Sequence, residues 1–392
     1  MFILLIIVLL HIQFYVRNIL FGTDEATFFT FTIRYLFDKD VALNSLYFAV
    51  SCAVAFAIGY LMAHRVARPK RIFALPTQTN YSLPLWPLVS AGLLQIFASF
   101  SVAIQTGFVY QRIAEHMEEA GFVFELRVVF LLLLSHLLLN VRLSEVLSDR
   151  RYRFARIITY SYIVAALLLQ ARSRVFEIGA VVAFTHLMWN GDRLRLRFFV
   201  AVGAALIVPN IIVLGRLNWP GDISTLINGI FSFEYTVLFN NLLSASINAG
   251  PNVNEAYTFT PTLGLLLPSP VRALLDIEVV KSEYYLELSK AANIENGGFS
   301  LLGELYTNFG WSAPFVLAAM GGAIGFLNAK AKRVGRVSIL ISAAPMLYTA
   351  FILAFRNDLG VFIKYSVQLI IIALVLSFLF RLKIGVTERR LA

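Results

Sequence analysis

The chain has 392 residues, of which 59% are hydrophobic and only 14% charged; its mean hydropathy is +0.75 and its formal net charge +10. Soluble domains carry about a quarter charged residues, so this composition excludes an ordinary water-soluble domain and points to a chain dissolved in lipid. The basic excess argues for orientation in a membrane rather than for nucleic acid, because the lysines and arginines sit in short loops between apolar runs.

In chain order, apolar runs long enough to approach the roughly 20 residues of a crossing occur at about 1–21, 43–63, 84–106, 126–143, 156–172, 174–190, 198–215, 301–328, 337–356 and 361–380. The first, Met1 to Phe21, has no basic leader and no small-residue cleavage site, so it is expected to be retained as a helix. The expected fold class is therefore all-α: a polytopic transmembrane bundle of about ten helices with a large periplasmic loop of short amphipathic helices. Expected boundaries are 1–215 for an N-terminal bundle of about seven crossings, 216–300 for the loop, and 301–392 for about three further helices and a cytoplasmic tail.

Charge orients this bundle. Basic clusters follow alternate runs, at Arg65 to Arg71, Arg142 to Arg156, Arg193 to Arg197, Lys330 to Arg336 and Arg381 to Arg390, and hold about 20 of the 33 basic residues. The positive-inside rule makes these cytoplasmic and both termini internal, in a bacterial inner membrane. The long stretch 216–300 then faces the periplasm. It is too polar to span, with Asp222, Glu234, Asn240, Asn241, Asn252, Asn254 and Glu255, yet its apolar patches 227–238 and 263–267 read as interfacial or re-entrant helices.

Basic residues on the non-cytoplasmic side run against the orientation bias and so ask for a reason. Arg172 and Arg174 occupy a short turn in Gln170-Ala-Arg-Ser-Arg-Val175, Arg216 follows the next upward run, Arg272 lies in the long loop, and Arg356 ends the ninth run. A planar guanidinium binds phosphate oxygens in bidentate fashion and stays charged at any relevant pH, so such a set suits a lipid-linked phosphate or pyrophosphate. The alternative use is snorkelling from helix ends to ordinary anionic headgroups.

A second constellation, Glu295-Asn-Gly-Gly-Phe-Ser-Leu-Leu-Gly-Glu304-Leu-Tyr-Thr-Asn-Phe-Gly-Trp311, is a glycine turn opening directly into a helix that carries Glu304. Glu304 and Asn308 share a helical face four residues apart, a polar stripe expected to face the bundle. Glu304 is a candidate catalytic acid or base; it is also read as a first-turn glutamate that favours the helix dipole. Asp358, two residues after Arg356, is read either as that arginine's ion partner or as a second acid at the site.

Absences narrow the chemistry. The lone cysteine, Cys52, lies in an apolar run, and the histidines His11, His64, His116, His136 and His186 show no metal-ligand spacing, so no protein-held metal and no cofactor is expected. The phosphate-loop, serine-hydrolase and zinc-protease motifs are missing as well. His116, in a charged periplasmic stretch, reads as part of a solvated helix.

The order of helices, the Ser-Arg turn near 170–176, the late periplasmic loop, the segment 295–311 and the Arg-Asn-Asp turn 356–358 together resemble the Wzy-type O-antigen and exopolysaccharide repeat-unit polymerases. That resemblance implies a metal-independent glycosyltransferase of the GT-C-like membrane class. It would transfer a glycan from an undecaprenyl-pyrophosphate donor to a lipid-linked acceptor at the periplasmic face, in polysaccharide or lipopolysaccharide biosynthesis, with a chain-length-regulating co-polymerase as a further partner. Arg172, Arg174, Arg216, Arg272 and Arg356 would hold pyrophosphate, and Glu304 or Asp358 would orient and deprotonate the acceptor hydroxyl. The related O-antigen ligases use a periplasmic histidine for that task, and the long loop contains none. A transporter or flippase of an anionic lipid-linked saccharide is the competing reading. Such a protein would place ionisable groups at mid-bilayer and on both faces, whereas the apolar runs here hold only isolated ones such as Arg127, Glu177 and Lys364.

Overall fold

A computed structural model describes residues 25–28, 31–34, 39–67, 85–107, 126–169, 172–189, 234–251, 300–331, 338–354 and 359–389, with 264, 266, 267, 272, 274–277, 287, 288 and 290. Apart from one hairpin these residues are helical wherever they are regular. The helices are α1 (Lys39–Ala67), α2 (Trp86–Gln105), α3 (Arg127–Asn140), α4 (Leu143–Ser148), α5 (Arg153–Leu168), α6 (Arg172–Trp189), α7 (Glu234–Ala249), α8 (Leu301–Phe309), α9 (Ala313–Ala331), α10 (Ala344–Ala354) and α11 (Leu359–Arg389). The hairpin pairs β1 (Glu25–Phe28) with β2 (Phe31–Arg34), antiparallel, Glu25 opposite Arg34 and Phe28 opposite Phe31. An all-helical expectation misses it, because four-residue strands carry too little alternation to be read from apolar runs.

Among the described residues four stretches are long and apolar enough to cross a bilayer: Lys39–Ala67, Trp86–Gln105, Leu301–Lys330 and Phe362–Leu379. The protein is thus helical and built for a membrane. Arg127–Asn140 and Ile341–Phe351 are apolar but shorter. Helices α5 and α6 fall within a few residues of the expected runs at 156–172 and 174–190, while the runs at 1–21 and 198–215 lie outside the described residues.

The chain divides into two compact units. The first comprises Met1–Arg68, Trp219–Ala329 and Ala350–Tyr365, and in it α1 and α9 meet through glycine. A Cβ built on Gly59 would lie 1.9 Å from the Ala318 carbonyl oxygen, one on Gly321 2.3 Å from that of Phe56, and one on Gly325 2.4 Å from that of Tyr60. In lipid the solvent is as apolar as leucine, so helices associate by close packing rather than by hiding from water, and Gly321-x-x-x-Gly325 removes the side chains that would hold the two backbones apart. Asn328 adds a donor to the Tyr60 hydroxyl across the same seam. Phe56 stacks on Phe351, with centroids 4.4 Å apart.

Helix α7, from the stretch read as interfacial or re-entrant helices, packs against α1 and α8. Leu242, Leu243, Ser244, Ala245 and Ser246 are buried in succession, too wide an arc for a surface helix. The serines make this tolerable, since Ser244 meets Ser45 at 3.0 Å and Ser246 donates to the Leu242 carbonyl.

The second unit comprises Pro69–Asn218, Lys330–Thr349 and Ser366–Ala392. Its centre is α3, buried all round from Phe130 to Leu139 and flanked by α2 and α6. Gly92 brings α2 against Ile158 of α5, where a Cβ would stand 2.1 Å from the isoleucine methyl. Two polar residues on this apolar helix are spoken for: Ser135 donates to the Ser342 carbonyl at 2.7 Å, and His136 Nδ1 lies 2.8 Å from the Ser342 hydroxyl. That hydroxyl also donates to the Ser338 carbonyl at 2.9 Å.

Candidate functional site

The segment singled out around Glu304 is built by local rules. Ser300 is extended and caps α8, its hydroxyl accepting from Gly303 N–H at 3.4 Å. That fixes Glu304 one turn into the helix, on its buried side, with 2% of the residue exposed. Thr307 donates to the Gly303 carbonyl at 3.0 Å and Asn308 to the Glu304 carbonyl at 2.8 Å. The polar stripe is present, with Asn308 serving the backbone of Glu304.

The carboxylate itself reaches far along the chain. Its Oε2 accepts a hydrogen bond from the backbone N–H of Leu359, the first residue of α11 and the next in sequence after Arg356-Asn357-Asp358. Glu304, from a segment that the sequence singles out, thereby meets the start of α11 within the first unit. Leu359 N–H is one of the orphan donors of a helix N-terminus, and it is buried, so water is not an alternative partner. A charged acceptor at the positive end of a helix is the arrangement that satisfies both groups.

Beyond Phe309 the expected continuous helix is interrupted. Gly310 adopts φ 53° and ψ −139°, and a 3-10 turn, Gly310–Ser312, precedes α9. A side chain at 310 would meet Pro251 at 3.3 Å. Such a break is tolerated inside a membrane span where protein surrounds it. Around it Phe48, Tyr306 and Trp311 pack edge to face, with Phe48 centred 5.1 Å from Tyr306 and 5.6 Å from Trp311. Trp311 is 53% exposed, as befits an aromatic ring at an interface.

Of the predicted arginines, Arg172, Arg174 and Arg272 are among the described residues. Arg172 and Arg174 form the first turn of α6 rather than a loop, and Arg174 is 1% exposed. A cation there opposes the helix dipole. Glu177, one turn on and 2% exposed, lies within the same electrostatic neighbourhood, with Tyr162 and Arg127. Arg127 Nη2 stands 3.6 Å from Glu177 Oε1. Sequence reading noted Arg127 and Glu177 only as isolated charges in apolar runs; 50 residues of separation hide the pairing. Arg272 is half-buried in a short helical turn of the first unit, its carbonyl accepting from Ile277 N–H at 3.0 Å. Arg216, Arg356, Asp358 and His116 lie outside the described residues. No group of three or more potential metal ligands occurs among the described residues.

On the face carrying Arg142 to Arg156, Asp149 caps a 3-10 turn by accepting from Arg151 N–H at 2.8 Å, and its carboxylate pairs with the Arg151 guanidinium at 2.7 Å. The hydrogen bond from the Arg151 side chain, with that from its backbone, holds the Asp149 carboxyl below its ordinary value. Arg156 closes the end of α4 by donating to the Val146 and Leu147 carbonyls. Arg142 lies over the Trp189 ring, 5.5 Å from its centre.

No family model matches the chain, and no curated protein or solved structure is significantly similar to it.

Proposed function

We propose that the protein is a membrane glycosyltransferase that polymerises undecaprenyl-pyrophosphate-linked oligosaccharide repeat units into O-antigen or exopolysaccharide. It would act at the periplasmic face of a bacterial inner membrane, as a bundle of about ten crossings of the GT-C-like class. The observation that carries this reading is the hydrogen bond from Leu359 to the buried Glu304 carboxylate. It ties the glycine-led segment 295–311 to the residue following Arg356-Asn357-Asp358, the two stretches whose residues most resemble the polymerases.

In the proposed reaction an acceptor hydroxyl oxygen attacks C1 of the donor's first sugar, and the bond from C1 to the pyrophosphate oxygen breaks. The pyrophosphate leaves on its lipid with the bonding electron pair, and the hydroxyl proton passes to a carboxylate, Glu304 or Asp358. Charge grows on the leaving pyrophosphate, so guanidinium groups held ready in a water-poor site would lower the barrier without a metal ion. Arg172, Arg174, Arg216, Arg272 and Arg356 are the candidates. The acceptor and donor, the bilayer and a chain-length-regulating co-polymerase are the proposed partners.

The test is polymer length in cells lacking the native gene. Complementation by wild type should restore long chains, and Arg172→Ala, Arg216→Ala and Arg356→Ala should each leave single repeat units. Long polymer from all three variants defeats the proposal.

A further inference from the structure

Across 142–156 five arginines face two acids, Glu145 and Asp149, and the arginines differ in what they already hold. The Arg151 guanidinium is matched by the Asp149 carboxylate, Arg156 is engaged by the Val146 and Leu147 carbonyls, and Arg142 lies over Trp189. Arg150 and Arg153 are exposed, and neither side chain has an ion pair or hydrogen bond among the described residues. The turn that presents them is fixed from both sides, by the Asp149 cap and by the Arg156 bonds onto the end of α4.

An apolar track starts at Arg153. Helical periodicity puts Ile157, Tyr160 and Val164 on the face of α5 that Arg153 heads, and all three are exposed, as is Phe154 beside them. The rise from Arg153 to Val164 is about 16 Å, close to half of the roughly 30 Å hydrocarbon core. The track is therefore one leaflet deep, with two uncommitted guanidinium groups at its head.

We infer that this face of α5 seats one anionic phospholipid, its headgroup phosphate held by Arg150 and Arg153 and an acyl chain lying along Ile157, Tyr160 and Val164. The assignment does not depend on the polymerase reading. A phosphodiester offers two charged acceptor oxygens to the guanidinium forks. A zwitterionic lipid brings its own cation to the same place and loses the net attraction, so charge complementarity selects the anionic one. A second copy of the chain fits worse: a two-fold contact through this face would set the arginines of both copies at one depth, like charge against like.

The experiment is native mass spectrometry of the full chain in detergent, with phosphatidylglycerol and phosphatidylcholine added at equal concentration, reading the fraction that carries one lipid. Phosphatidylglycerol should be held at least about tenfold more tightly. Arg150→Gln and Arg153→Gln should each weaken it about fivefold, and the double variant about 25-fold, with phosphatidylcholine unaffected. Arg65→Gln removes an exposed arginine of the first unit and should change retention less than twofold. Glycerophosphoglycerol, the headgroup without chains, should not displace the lipid at equal concentration.

Equal retention of the two lipids overturns the site. A loss in Arg65→Gln as large as in Arg153→Gln reduces the effect to diffuse attraction and overturns it as well, and displacement by glycerophosphoglycerol removes the acyl track. Disulfide formation between copies carrying Tyr160→Cys, with Cys52 buried and out of reach, would show that a second copy covers the face. Should the double variant not be recovered from membranes, the fivefold loss in Arg153→Gln alone decides.

Discussion

At the scale of single residues, the buried charge of Glu177 has a partner fixed in advance. Arg127 and Glu177 are 50 positions apart, and the glutamate is almost wholly buried. Removing Arg127 leaves the buried Glu177 carboxylate without that partner, so Arg127→Met should lower stability by about 3 kcal/mol, read as the thermal midpoint in detergent. The double variant Arg127→Met with Glu177→Leu should recover most of that loss, and a double variant no better than Arg127→Met would refute a pairwise account. Asp149 behaves oppositely because it is exposed. Its carboxyl is held below the ordinary value by Arg151. The contribution is therefore fully present above the unfolded value of 3.8 and is lost as pH falls through the lower folded value. Acid titration of a peptide spanning 143–156 inside the intact protein should show this transition and Asp149→Asn should abolish it. High salt should weaken it, since the pair is in water.

At the scale of helices, close approach carries the information. The seam between α1 and α9 leaves no room at Gly59, Gly321 or Gly325, where the obstructing atoms are backbone carbonyl oxygens rather than mobile side chains. Gly59→Ala should therefore cost at least about 2 kcal/mol, at the upper part of the range for overpacking because a backbone must shift. Gly322, whose Cβ would find its nearest atom at 3.7 Å, should accept alanine with little effect. Thermal midpoints of the two variants side by side test this, and equal losses would show that the seam is not what Gly59 protects. Which helix Gly321-x-x-x-Gly325 meets is not written in the sequence, because glycine pairs leave no side-chain pattern on the partner. The break at Gly310 was hidden for a similar reason: the apolar run 301–328 reads as continuous, and only contact with Pro251 and a positive φ interrupt it.

At the scale of the whole molecule, the expected orientation makes a test available because the chain has a single cysteine, Cys52, which is 1% exposed. A membrane-impermeant thiol reagent should leave the wild type unlabelled. Ser148→Cys, at an exposed position in the arginine-rich segment 142–156, should label only after the cytoplasmic face is opened; labelling in intact spheroplasts would reverse the orientation. What the amino-acid order determined by itself is the solvent and the positions of helices, because a bilayer demands about 20 apolar residues per crossing and charge marks where each run stops. The starts of α1, α2, α3, α5, α6, α8 and α11 lie within a few residues of the runs read from hydropathy. Arg174 and Glu304 stand out in the sequence as charged groups, the first against the orientation bias and the second near a helix start. Only the tertiary structure decided their partners. A carboxylate bound to the amide of Leu359, and a guanidinium neighbouring Glu177, depend on distances across the fold that neither periodicity nor composition encodes, since a backbone N–H is the same in every residue but proline.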